Sequence, residues 1–279
     1  SNGDSTGSFA QTGGTISTAG GAIAITNGDA DSGAGNVLLG AITAGGTSNI
    51  TVISREGSIL ENASGSSLLT SAGTITLTAG TGAGDGVGTS TDAINTTGAT
   101  LTASAGTGGI YIDEADGATI GTVTVTGTSG DVLIQNVAAG NLTTTGVIST
   151  QGGNITVKSV SSLSIGANVT VSAGTGTVAL TSDSNADNTG SFAQTAGTIS
   201  TNNGAIAITN KGTDTLKLGL VTDTGGAGIT ITNEKGSILE NAANSSLLTS
   251  TGTISLQAGS VTAGATGVGT STDAINTNG

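Results

Sequence analysis

The feature that most constrains this 279-residue chain is that much of it is written twice. Thr6–Thr18 reads TGSFAQTGGTIST and Thr189–Thr201 reads TGSFAQTAGTIST, one difference in 13 positions. GAIAITN at Gly21–Asn27 returns unchanged at Gly204–Asn210. Gly57–Gly80 returns at Gly236–Gly259 with 19 of 24 residues identical, and GVGTSTDAIN at Gly86–Asn95 returns unchanged at Gly267–Asn276. The four offsets are 183, 183, 179 and 181, so the long period is about 181. A fixed long period of this kind marks an array architecture. The length changes fall in 27–56 and 81–85, rich in Gly, Asp and Thr, where loops tolerate insertion and strands do not.

A shorter beat runs inside the long one. Ile23-Ala24-Ile25, Ile50-Thr51-Val52, Ile75-Thr76-Leu77, Val123-Thr124-Val125, Ile155-Thr156-Val157 and Ile229-Thr230-Ile231 alternate aliphatic with small or hydroxyl residues. A period of two puts the aliphatics on one face, the pattern of a half-buried strand. Gly, Asn or Asp bounds nearly every run and supplies the turns. Starts at Ile23, Ile50, Ile75, Leu101, Val132, Ile155, Val178, Ile206, Ile229 and Ile254 are spaced by about 26 residues. Seven such steps join Ile23 to its copy Ile206. Between Leu101 and Val132 the register is ambiguous, because Ile110 and Val123 compete for it. A unit of this size holds three short strands and three turns, one coil of a solenoid.

Composition alone resembles a flexible linker: 50 Gly, two Phe, one Tyr and no Trp. Phased alternation overrules that reading, since a linker has no reason to keep aliphatics in step. A solenoid explains the same composition. Stacked coils enclose a narrow tube that admits Ile, Val, Leu and Ala, while Gly and Asn take the left-handed corners. Thr and Ser fill the outward strand positions, and corner Asn side chains can stack along a ladder. The expected fold is therefore all-β: a parallel β-helix, or β-solenoid, of about 26 residues per coil and roughly 11 coils. Residues 1–279 form one continuous segment, with 1–181 the first copy of the long repeat and 182–279 a partial second. Both ends fall inside a repeat, which leads us to expect a piece of a longer array.

The missing residues exclude much chemistry. Without Cys or His there is no disulfide framework, zinc finger or ordinary nucleophile–base pair. The net charge of −13, with five basic residues, argues against nucleic acid or anionic membrane as partner. No apolar window reaches the length of a membrane span, and no signal peptide opens the chain.

GTISTAGGAIAIT, GNLTTTGVISTQGGNITVKS and GSILENASGSSLLTSAGTITLTAG resemble the repeat regions of filamentous-haemagglutinin-type secreted adhesins of Gram-negative bacteria. Leu101–Val125 resembles repeats of very large surface proteins of the same group. The likeness covers the whole chain. It implies a right-handed coil, export through an outer-membrane barrel partner, and an extracellular or cell-surface stalk. The family's amino-terminal secretion domain is not in this sequence, and the coil here is longer than that family's usual one.

No catalytic, cofactor-binding or metal residue is assigned. The one cation candidate is calcium at Asp183, Asn185 and Asp187, which share the D-x-N-x-D spacing that opens calcium loops. Asn188 stands where such a loop has Gly, and Gln194 where it has Glu. Solvated corner acids explain this loop better than a calcium site does, and the same holds for Asp29 and Asp31, and for Asp113, Glu114 and Asp116. Gly82–Gly88 hints at a calcium nonapeptide, but the second copy lacks the acid. Glu61-Asn62 and Glu240-Asn241 suit an outward strand position followed by a corner Asn, or a contact between filaments. Triplets such as Asn49-Ile50-Thr51 follow from the abundance of Ser and Thr.

The expected function is thus a stiff structural rod, bound to neighbouring repeats of its own chain and open to lateral self-association into fibres. It would reach other cells or surfaces through regions outside this sequence. The alternatives are a binding module, ice-binding or calcium-tuned, and more distantly a polysaccharide lyase or hydrolase. Thr74–Thr78 and Thr122–Thr126 suggest the flat Thr rows of ice-binding solenoids, but the uneven spacing leads us to expect those rows out of alignment. Arg55, Lys158, Lys211, Lys217 and Lys235 are too scattered, and Tyr111 too isolated, for a lyase or carbohydrate platform.

Overall fold

The computed structural model describes residues 7–28, 35–243, 245–259 and 266–278. They form a parallel β-solenoid of about ten turns, roughly 25 residues each, with no helix. One ladder runs its length: Phe9, Val37, Ile59, Val87, Ile110, Val132, Ile155, Val178, Ile206, Ile229 and Ile254 stack in register, all strands parallel. The nine rungs from Val37 to Ile229 are buried. The aliphatic half of each alternating run is therefore the filling of the tube, as period-two patterning requires.

The first two coils carry three strands each; in the next two the second and third run together as Leu68–Thr78 and Ile94–Ala105, so all four keep three ladders. Besides the Phe9 ladder, Ile16, Ile42 and Leu69 stack on a second face, and Ile23, Ile50, Ile75 and Leu101 on a third. The coil at 109–125 rearranges them. Its first strand, Gly109–Glu114, stacks on both Gly86–Val87 and the start of Ile94–Ala105, so the first two faces fuse. Its second strand, Ala118–Val125, slips register between Leu101 and Ala103 and then divides, Ala118–Ile120 under Leu142–Thr144 and Val123 under Ile148. Two faces become one and one becomes two. Both Ile110 and Val123 are true rungs, on different faces.

This corrects the seven-unit count. Seven steps along the third face carry Ile25 to Ile199, the copy of Ile16. Ile206, the copy of Ile23, lies on the Phe9 ladder instead, eight steps from Phe9. The long repeat therefore makes seven and one third coils, and its second copy is advanced by one face. At about 4.8 Å per coil it spans about 35 Å of axis.

Three side-chain devices hold the corners. Asn36, Asn49, Asn141, Asn154 and Asn168 each precede the first inward aliphatic of a strand. Their Oδ1 atoms accept the amides of Ser58, Thr74, Ser162, Thr177 and Thr198 one coil on, at 2.9–3.0 Å. Gln11 Nε2 donates to the Gly14 and Ala41 carbonyls while Oε1 accepts the Gly40 amide; Gln194 repeats this with Gly197, Leu220 and Gly219. That exchange explains why the GSFAQ text is kept in both copies. Finally, Gly130, Gly153, Gly176 and Gly204 stack where coils approach closely. A Cβ on Gly153, Gly176 or Gly204 would run into the carbonyl of the glycine one coil before.

Candidate functional site

The loop proposed for calcium folds on itself. Asp183, Ala186 and Asn188 take φ of 50°, 59° and 74°, the left-handed region that side chains avoid. Asp183 is buried, and its two oxygens accept the amides of Asp187 at 3.1 Å and Asn188 at 3.0 Å. Burial raises its pKa, opposed by the Asn188 amide. Asp187 accepts from Thr189 and from Asn185 Nδ2, and the Thr189 hydroxyl contributes most to lowering its pKa. Lys211 Nζ donates to the Ser184 carbonyl at 3.3 Å, and Lys235 Nζ to Asn188 Oδ1. Protein amides, the Thr189 hydroxyl and Asn185 Nδ2 thus occupy the Asp183 and Asp187 oxygens a cation would need, and two ammonium groups bind elsewhere on the same loop.

Glu61 and Glu240 are buried and face inward, not outward as expected from alternation. Glu61 Oε2 accepts the Ser66 amide at 3.0 Å. Its Oε1 accepts the Ser67 amide, the Ser67 hydroxyl and Asn95 Nδ2. Glu240 repeats this set with Ser245, Ser246 and Asn276. Burial raises the Glu240 pKa, but the Ser246 hydroxyl, Asp273 and the two serine amides outweigh it, and the net shift is downward. Each carboxylate ties the six-residue corner that follows it to the next coil. The role is architectural, and the preserved SILEN text is its signature.

Glu114 was not distinguished from its solvated neighbours by sequence, yet it is fully buried. It sits where the two faces fuse, stacked between Thr96 and Asn136. The same inward slot continues through Ser159, Ser182, Asn210 and Asn233, making a buried polar column seven rungs long. Ser182 Oγ donates to Asn210 Oδ1 at 2.7 Å and Asn210 Nδ2 to Asn233 Oδ1 at 3.0 Å, a ladder of the kind expected. Glu114 accepts from the Thr96 hydroxyl and, at 3.3 Å, from the Gly98 and Asp116 amides. Burial, then its side-chain hydrogen bond with Asp116, pushes its pKa up to about 8.

The outward hydroxyls are aligned, contrary to the expectation from spacing. Thr78, Ser104, Thr124, Ser149, Thr170, Ser200, Thr222 and Thr249 occupy one register position on eight successive coils. All are half-buried, and Ser200 donates to Thr170 at 3.1 Å. Ladder pairing keeps the row straight even though loop lengths between strands vary, which is why the sequence spacing misleads.

The other candidates stay apart. Asp113 points outward and accepts from Gln135 Nε2 at 2.8 Å. Asp85 accepts the Gly82 amide at 2.9 Å, closing a local turn. Tyr111 is half-buried, and burial, then Asp131, raises its pKa. Arg55, Lys158 and Lys217 are exposed on separate coils. Asp29 and Asp31 lie outside the described residues. Among the described residues no three acidic groups gather to hold a metal ion, and no helix is long and apolar enough to cross a membrane. No protein-family model, curated protein or solved structure matches the chain.

Proposed function

We propose that the chain is a structural segment of an extracellular bacterial filament or adhesin stalk, a stiff rod that projects from a surface or links cells. The observation that supports this is the unbroken axial stack. Parallel hydrogen bonding continues from coil to coil, and the inward slots are packed. The repeated acids Glu61 and Glu240 serve the corners rather than a cleft. The resemblance to haemagglutinin-type repeats supplies the extracellular, Gram-negative setting of this proposal. In it the partners are neighbouring repeats and, through the sides, other rods. Force spectroscopy of the chain between marker domains tests the reading. A mechanical element outlasts the markers and then extends in coil-sized steps; a chain that unfolds before them would overturn it.

A second reading is favoured by the aligned hydroxyl row. Eight hydroxyls at a pitch of about 4.8 Å offer a regular template for ordered water, as an ice-binding face requires. Thermal hysteresis in dilute purified protein supports it. Its absence, with ice crystals growing unshaped, removes it.

A further inference from the structure

We propose that Glu114 is a proton-operated latch on the coil where the faces fuse: protonated, it holds residues 109–125 to their neighbours, and ionised, it lets them open. The geometry points there. Glu114 is buried in the coil whose two strands regroup the faces, and its side chain bonds to three places at once. It joins Thr96 and the Gly98 amide of the preceding coil to the Asp116 corner of its own. When protonated it gains one O–H, for which the Asp116 corner offers an acceptor, and the remaining lone pairs take the Thr96 hydroxyl and the two amides. When ionised it is a buried negative charge with no basic group in contact, a state the protein interior disfavours relative to an opened, hydrated one. The bulge between Gly98 and Thr100 lies beside these contacts, so the segment has a ready place to give.

No cation relieves the charge. The titratable groups on the elements packed against Glu114 are Tyr111, Asp113 and Asp116 on its own strand and corner, and Asp131 before Val132–Asn136. Asp85 and Asp92 flank the strands of the preceding coil. The nearest basic side chain in register is Lys158, exposed on the outward row beyond Gln135, one coil further on.

Hydrogen exchange of the full chain, wild type against Glu114→Gln, tests the latch. Gln keeps the acceptor for the amides and a donor for Asp116 but cannot ionise. The open form exposes the carboxyl, so its ordinary titration and its raised folded value bracket the working range. Between about pH 5 and pH 8 the wild-type opening constant of the Ala115, Asp116 and Val137 amides, divided by that of the variant, should rise about tenfold per pH unit. Amides near Ile165 and Val171 should show no such rise. A flat ratio, or an equal rise along the whole rod, overturns the proposal. Infrared spectra decide independently if the variant fails to fold: wild type must keep one protonated carboxyl at pH 6.5 and lose it by about pH 9.

Discussion

Ile23 and Ile206 occupy the same position in the repeated text and different ladders in the fold. Ile23 is stacked on Ile50 on one face, whereas Ile206 is stacked between Val178 and Ile229 on the face that Phe9 begins. The advance by one strand is produced within the single coil that fuses two faces and divides the third. A rod that imaged with a repeat of seven whole coils would contradict it. Mass-per-length or diffraction measurement should give about 35 Å per long repeat, with the repeat-specific features turning by one face.

The two phenylalanines provide an internal control on core packing. Phe192 is fully buried between Leu163 and the next coil, while Phe9 is only partly buried. Phe192→Ala should cost about 3–5 kcal/mol in denaturant unfolding and Phe9→Ala clearly less, although the surrounding text is nearly identical. Equal costs would show that the interior coil is not packed as described.

Gly153 has no room for a methyl group against the Gly130 carbonyl. Gly153→Ala should destabilise by about 1–3 kcal/mol or prevent folding, through overpacking of backbone on backbone. Gly46→Ala, where a Cβ meets nothing within 4 Å but φ is 62°, should cost only the left-handed strain. Circular dichroism melts of the two variants separate the causes.

Asn154 links three coils: its amide and Nδ2 donate to Asp131, and its Oδ1 accepts from the Thr177 amide and hydroxyl. Asn154→Ala should cost about 1 kcal/mol in urea unfolding. Asn154→Asp should cost more at neutral pH than at pH 3, because the new carboxylate faces Asp131.

Glu240 gives the rod a limit at acid pH. Its folded pKa lies below its unfolded value near 4.5, so it adds stability above that value and loses it as pH falls through the folded one. Unfolding of the wild type should grow steeper below about pH 4.5, and Glu240→Gln should flatten the curve. An unchanged acid limb would mean that the carboxylate is not held by Ser245, Ser246 and Asn276.

Much of this was legible from residue order. Alternation around Ile155 or Ile229 revealed the strands, the repeat offsets revealed the array, and Gly and Asn marked the corners. Three things were not. The outward assignment of Glu61 failed because alternation sees only position parity, and the corner serines and Asn95 that make its burial tolerable are five, six and 34 residues away. The burial of Glu114 was hidden because DEADG is the text of an ordinary turn, and only the fusion of two faces brings it inside. The hydroxyl row was hidden because sequence spacing counts loop residues that ladder register ignores. The sequence carries one further signal: the Asn placed just before the first aliphatic in Asn36-Val37, Asn49-Ile50, Asn141-Leu142, Asn154-Ile155 and Asn168-Val169 marks strand starts more sharply than Gly does.

The one-strand advance also acts as a vernier. In any chain carrying further copies of this text with the same rearrangement, adding or deleting one copy would turn everything beyond it by one strand of the coil, besides changing the length. Only a change of three copies, 22 coils, would restore the original bearing. Copy number would then set the compass direction in which such a rod presents its cargo, and variants differing by one repeat would aim differently while being the same material.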